Sequence, residues 1–260
     1  DLAEAGRSGL MDRANHLHRV CEVDDFEAQL AAAVAARPAV LSFVMGDPGA
    51  ARVAALKAQG LVVLGTATQV SEGLALQASG VDGVIAQGFE AGGHRGGFLG
   101  SAEGAGIGTM ALVPQLVDAL DVPVIAAGGI ADARGVAAAQ ALGASAVTVG
   151  TAFLLVDECP LSPAYRAALL GAGDSDSTLT RAFSGRLARG LANRVTRELD
   201  GAALPAFPQP NAASRPLRQA AAKAGRAEFI SLWAGQALPL QRSPGPAAAL
   251  VAALARGWRA

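Results

Sequence analysis

From residue 39 onward, short apolar runs alternate with Ala-rich stretches of helical character. Ala39–Met45 (AVLSFVM) reads as a buried strand, stopped by Gly46-Asp47-Pro48-Gly49, and Ala50–Gln59 as the helix after it. The pattern then recurs. Strand Leu61–Thr66 precedes a helix capped by Ser71 and running to Ala78, and strand Val81–Gln87 leads through the loop Gly88–Gly100 to a helix over Met110–Leu120. Strand Val122–Ala127 turns at Gly128-Gly129 into helix Ala133–Leu142, capped by Asp132, and Ala146–Gly150 is a fifth strand. Continuous apolar strands, each followed by a helix, mark a parallel sheet covered on both faces. Five such units suit an open doubly wound sheet or part of an eight-stranded barrel, and counting does not choose.

On either side the pattern changes. Phe26–Arg37 predicts a helix with no strand before it. After Phe153, Pro160 and Pro163 break the chain, Gly171–Thr178 reads as a polar loop, and Arg181–Arg197 reads as a solvated helix face. Four prolines between Pro205 and Pro216 indicate an insertion or cap; Leu217–Leu232 and Ala247–Trp258 are expected to be helical. The expected organisation is an arm and helix over 1–38, βα units over 39–190, and a cap segment with C-terminal helices over 191–260.

Composition narrows the partners. With 52% hydrophobic and 17% charged residues, the 260-residue chain is expected to be a soluble globular protein. A net charge of -1 and 4% aromatic residues argue against a nucleic-acid partner. No apolar run approaches the roughly 18 residues of a membrane span, and no secretory leader is visible, so no membrane partner and a cytoplasmic location are expected. Cys21 and Cys159 form no Cys-x-x-Cys, and no His/Cys cluster exists, so no metal is expected. Gly104-Ala105-Gly106-Ile107-Gly108 lacks dinucleotide-fingerprint spacing and follows no strand.

The densest chemical signal is Gln87-Gly88-Phe89-Glu90-Ala91-Gly92-Gly93-His94-Arg95-Gly96, directly after a predicted strand. Its glycines let backbone approach a ligand closely, and His94 is the only histidine of the βα region. An imidazole on a strand-end loop is placed to act as base or hydrogen-bond donor. Two further strand–Gly–helix junctions, Val124–Asp132 and Val147–Phe153, follow in tandem and could offer backbone N–H groups to a phosphate.

These segments, with Leu64–Thr68 and Leu232-Trp233-Ala234-Gly235-Gln236, resemble the nitronate monooxygenase family, formerly the 2-nitropropane dioxygenases; flavin-dependent enoyl-acyl-carrier-protein reductases share the Glu-Ala-Gly-Gly-His-Arg-Gly string. The resemblance implies a TIM-type (β/α)8 barrel holding one non-covalent FMN. Such family members begin with strands that have no counterpart here. The five strands then correspond to barrel strands four to eight, with the first strands lacking and a C-terminal helical insertion or cap. By position, His94 matches the catalytic histidine; Gln87, Gly92 and Gly93 match flavin-facing positions; Gly128, Gly129, Thr148, Val149, Gly150 and Thr151 match the phosphate-binding turns. The implied activity is oxidation of alkyl nitronates or nitroalkanes by O2 to a carbonyl compound and nitrite, with a homodimer as an assembly open to it. The alternatives are an FMN-dependent enoyl-acyl-carrier-protein reductase or NAD(P)H oxidoreductase, and an inactive flavin-binding remnant.

Overall fold

The computed structural model describes residues 26–101, 106–240 and 244–258. The N-terminal arm with His16, His18 and Cys21, and Gly104-Ala105, lie outside them. Helix α1 (Phe26–Ala35) leads into β1 (Val40–Phe43), α2 (Ala50–Lys57), β2 (Val62–Ala67), α3 (Val70–Ala78) and β3 (Gly83–Gln87). After the two-residue strand β4 (Gly93–His94) come α4 (Thr109–Ala119), β5 (Val124–Ala127), α5 (Ala133–Ala141) and β6 (Ala146–Thr148).

Strands β1, β2, β3, β5 and β6 form one parallel sheet in chain order. A doubly wound sheet reverses its strand order at a switch point, whereas a barrel wall does not. The order therefore resolves what the strand count left open: the sheet is an arc of a TIM-type barrel. Helices α2 to α5 bury Leu56, Leu76, Leu112, Leu116 and Val136 against Val63, Val84 and Val124 of the sheet. Asp132 caps α5 as expected, accepting from the N–H groups of Arg134 and Gly135. Ser71 does not cap α3, which begins at Val70. The Glu72 carboxylate instead accepts from Thr68 N and Oγ1 just ahead of the helix.

The second half departs further from the sequence pattern. A 3-10 turn (Thr151–Leu155) precedes α6 (Pro163–Gly171), where Pro163 opens a helix instead of breaking one; the first turn does not need the missing N–H. Strands β7 (Ser177–Thr180) and β8 (Ala188–Leu191) pair antiparallel, and β8 also pairs with β4. The Arg-rich stretch is therefore not a solvated helix face: Arg189 lies in β8, 5% exposed. Only its end, α7 (Arg194–Glu198), is helical. The proline-rich segment ends in α8 (Gln209–Lys223), which carries Pro210 in its first turn and Pro216 inside. The helix expected over Leu217–Leu232 thus lies earlier in the chain. Helix α9 (Ala247–Ala255) packs on α5. A second core gathers Leu155, Leu169, Leu191, Ile230, Leu232 and Leu238 beneath the cap. No described helix is long and apolar enough to cross a membrane.

Candidate active site

The sheet register sets Gln87, Ala127 and Thr148 abreast at the C-terminal ends of β3, β5 and β6. The turns after these strands consequently open side by side. With Trp233, Gly235 and Ala237 from the chain following α8, they enclose a cavity of about 400 Å³. Gln87, Gly92, Gly93, Gly128, Gly129, Thr148, Gly150 and Thr151 all line it. Val149 does not; on an extended chain it points opposite to Thr148 and Gly150, and it packs against the main core. His94 lies just outside the lining, its ring 5.4 Å from that of Trp233, which is part of the wall.

The wall suits a largely apolar ligand with a polar end that takes neutral hydrogen-bond donors. Ile85, Ala127, Ile130 and Leu154 supply apolar surface. A Cβ added at Gly93 or Gly150 would meet nothing within 4 Å, so these two backbones border open space. Gly128 and Gly129 have φ of +102° and +73°, a turn that side-chain-bearing residues rarely adopt. Among the lining residues the sole ionisable group is Glu90, whose carboxylate accepts from Thr109 N at 2.9 and 3.0 Å and from Thr109 Oγ1 at 2.9 Å. Glu90 thereby caps α4 in place of Gly108, and the guanidinium groups of Arg95 and Arg189 offset its charge. The α5 N-terminus is already occupied by Asp132, so a phosphate would depend on neutral donors of the Gly129 and Gly150–Thr151 turns and the Thr148 hydroxyl. These residues fit the FMN that the family resemblance implies.

His94 is held on several sides. Its Nε2 lies 2.8 Å from Ser184 Oγ, and Ser184 Oγ lies 3.2 Å from Arg186 O. Phe207 meets the ring edge-on at 5.8 Å. Burial, helped by the nearby Arg186 cation, holds the imidazole pKa below its ordinary value of 6.5. The loop carrying His94 is braced from both ends. Gln87 spans His94 O and Gly96 N, and Arg95, 1% exposed, donates to Gly88 O at 2.7 Å and Gln87 O at 3.1 Å. Burial pushes the Arg95 pKa down to about 10. Arg186 donates to Arg95 O and Gly97 O, and Glu72 accepts from Phe98 N and Leu99 N.

Several of these residues carried no sequence signal. Ser184 and Arg186 stand about 90 positions from the loop they bind. Phe207 lies in a stretch whose sequence shows only its prolines, whereas Trp233 belongs to the Leu-Trp-Ala-Gly-Gln string. Among the described residues no group of three His, Cys, Asp or Glu side chains could hold a metal ion.

Comparison with known proteins adds a family. The family model for nitronate monooxygenase matches residues 1–257. A probable nitronate monooxygenase of Staphylococcus aureus (strain Newman) is 40% identical over 231 residues, covering 86% of this chain; the chain spans 65% of that relative's length. The solved structure of a nitroalkane oxidase from Streptomyces ansochromogenes superposes with a TM-score of 0.84 at 44% identity, covering 89% of this chain and 67% of its own. FabK from Thermotoga maritima gives a TM-score of 0.77 at 29% identity, covering 91% and 73% respectively.

Proposed function

The chain belongs to the nitronate monooxygenase family, and from that premise we propose that it oxidises alkyl nitronates with FMN and O2 to a carbonyl compound and nitrite. The observation that carries the reading is the cavity itself: Gly-rich turns of three neighbouring βα junctions line it, and a half-buried histidine stands beside its wall. Bound FMN supplies the electron acceptor and the reactivity toward O2.

The protein's part is binding, orientation and proton transfer. The Gly129 and Gly150–Thr151 turns hold the phosphate, and Gly92 and Gly93 border the face that substrate approaches. His94 takes the α-proton from neutral nitroalkanes on Nδ1, and the Nδ1–H so formed donates to a nitro oxygen. Its lowered pKa keeps the ring neutral at pH 7, which a base requires. Ser184 has one hydroxyl hydrogen. When Arg186 O accepts it, Nε2 of His94 carries the ring proton and Nδ1 holds the lone pair. In this reading residues 39–190 carry most of the cofactor site and 191–260 cover it.

Visible spectra with and without added FMN test the proposal. A bound flavin spectrum that bleaches anaerobically with a short alkyl nitronate is the expected result. Bleaching with NADH alone would indicate a reductase, and no flavin binding after reconstitution would overturn the cofactor assignment.

A further inference from the structure

Two aromatic side chains, Trp233 and Phe207, meet His94, a third, Phe183, backs Trp233, and the three differ in exposure. Phe183 is 2% exposed, Trp233 is half-buried in the cavity wall, and Phe207 is 44% exposed. Phe183 meets Trp233 edge-on at 5.7 Å, Trp233 tilts over His94, and Phe207 closes the row from the solvent side. A single exposed phenylalanine says little. This one, however, is seated by its backbone. Gly185 has φ +82°, and a Cβ there would lie 2.6 Å from Pro205 O and 3.0 Å from Phe207 N. The stretch Pro205–Phe207 thus rests directly on the turn that carries Ser184 and Arg186. Ser214 Oγ of α8 donates to Phe183 O, tying the following helix to the same turn. Gly190 plays the matching role beneath Trp233, where a Cβ would come within 3.0 Å of the indole.

We infer that Phe207 is a specificity-determining residue: with Trp233 it forms an apolar wall beside His94 that receives the alkyl substituent of the nitro-bearing carbon and favours longer chains. The inference rests on the nitronate reading for the identity of the polar head, which His94 meets. The alkyl tail would cover ring surface that water now touches, and each methylene removed from water contributes to binding.

The test uses the FMN-loaded chain carrying Trp258→Phe, which leaves Trp233 as the only tryptophan. Two series are measured: kcat/KM for the nitronates of nitroethane through nitrohexane, and affinity for the matching unreactive n-alkanoates by Trp233 fluorescence. Both should improve about twofold to fourfold per added methylene over the first additions. Phe207→Ala should flatten both series and Phe207→Leu should restore most of the slope. Gly185→Ala, which displaces the Pro205–Phe207 stretch, should flatten them as Phe207→Ala does. Nitronate turnover with the same slope in Phe207→Ala, or with no slope in the parent, overturns the inference and leaves the proposed function standing. Alkanoate affinities that depend on Phe207 without turnover of any nitronate sustain the apolar wall and overturn the proposed function.

Discussion

Gln87 holds His94 by the backbone: its side-chain Nε2 donates to His94 O at 3.0 Å, while its Oε1 accepts from Gly96 N at 2.7 Å. One amide at the end of β3 thus clasps the chain on both sides of Arg95 and ties the histidine loop to the parallel sheet. The same residue lines the cavity. Its two hydrogen-bonding ends are already engaged by the protein, so its contact with a ligand is made mainly by the flat of the side chain.

Replacing Gln87 by Ala removes both bonds and leaves a part-buried N–H and C=O to find water. The expected cost is about 1–3 kcal/mol of stability. Urea unfolding measures it, and hydrogen exchange at the Gly96 amide should accelerate by more than exchange at the middle of α5.

His94→Ala should lower kcat/KM on neutral nitroalkanes by about 10²–10⁴-fold, the usual range for a removed general base. The loss on preformed nitronates should be smaller, because they arrive deprotonated. Equal losses on the two substrate forms would leave His94 only a hydrogen-bonding role.

The pH dependence follows from the lowered pKa of His94, caused first by burial and second by Arg186. The folded state binds this proton less readily than the unfolded chain does. Stability from this site is therefore present above pH 6.5 and is lost as the pH falls through that value toward the folded pKa. The acid limb of nitroalkane oxidation should have its midpoint below pH 6.5. Arg186→Gln removes the smaller cause, so the midpoint should move upward yet stay below 6.5; NMR titration of the His94 ring gives the same quantity without turnover.

Gly92 and Gly150 make a contrasting pair. A Cβ at Gly92 would lie 2.5 Å from Gly235 N and 2.6 Å from Ala234 C, backbone atoms that cannot step aside cheaply. Gly92→Ala should therefore destabilise the fold by several kcal/mol, as overpacking does when little can yield. Gly150→Ala meets nothing within 4 Å and should leave the melting temperature nearly unchanged, while its methyl group intrudes on the cavity and weakens FMN binding by about tenfold.

Glu72 is fully buried and accepts from Thr68 N, Thr68 Oγ1, Phe98 N and Leu99 N. Glu72→Ala would strand all four donors, and a loss of about 3–5 kcal/mol is expected in urea unfolding. Glu72→Gln keeps one acceptor oxygen and should recover part of that loss.

The parallel sheet was legible because its signal is local. Each strand is a continuous apolar run, each helix an Ala-rich stretch after it, and Gly128-Gly129 and Asp132 mark a turn and a cap through their own backbone preferences. The small antiparallel sheet was not legible. Strand β4 is two residues long, and β8 contains an arginine whose burial is satisfied by Phe89 O, 100 positions away, and by Ser177 Oγ on the paired strand β7. Helix α8 was hidden by its prolines. Pro210 sits in the first turn, where no N–H is required, and Pro216 is tolerated while Arg218 donates to Ser214 Oγ, Asn211 O and Asn211 Oδ1 across the neighbouring turn. For the site, glycine spacing marked the cavity floor, whereas Ser184, Arg186 and Phe207 are brought to His94 only by tertiary folding. The family resemblance assigns Val149 together with its turn, whereas alternation along the extended chain turns it away from the cavity.

The capping of α4 by Glu90 couples a helix end to the space inside the cavity. The carboxylate that closes the first turn of α4 belongs to a residue of the cavity wall, two positions before Gly92. A ligand that draws Glu90 inward must uncap the helix, and one that presses it outward must reinforce the cap. By thermodynamic reciprocity, occupancy of the cavity and fraying of α4 then report on each other, so an isotope label on the Thr109 amide would read ligand binding from a helix terminus that need not touch the ligand.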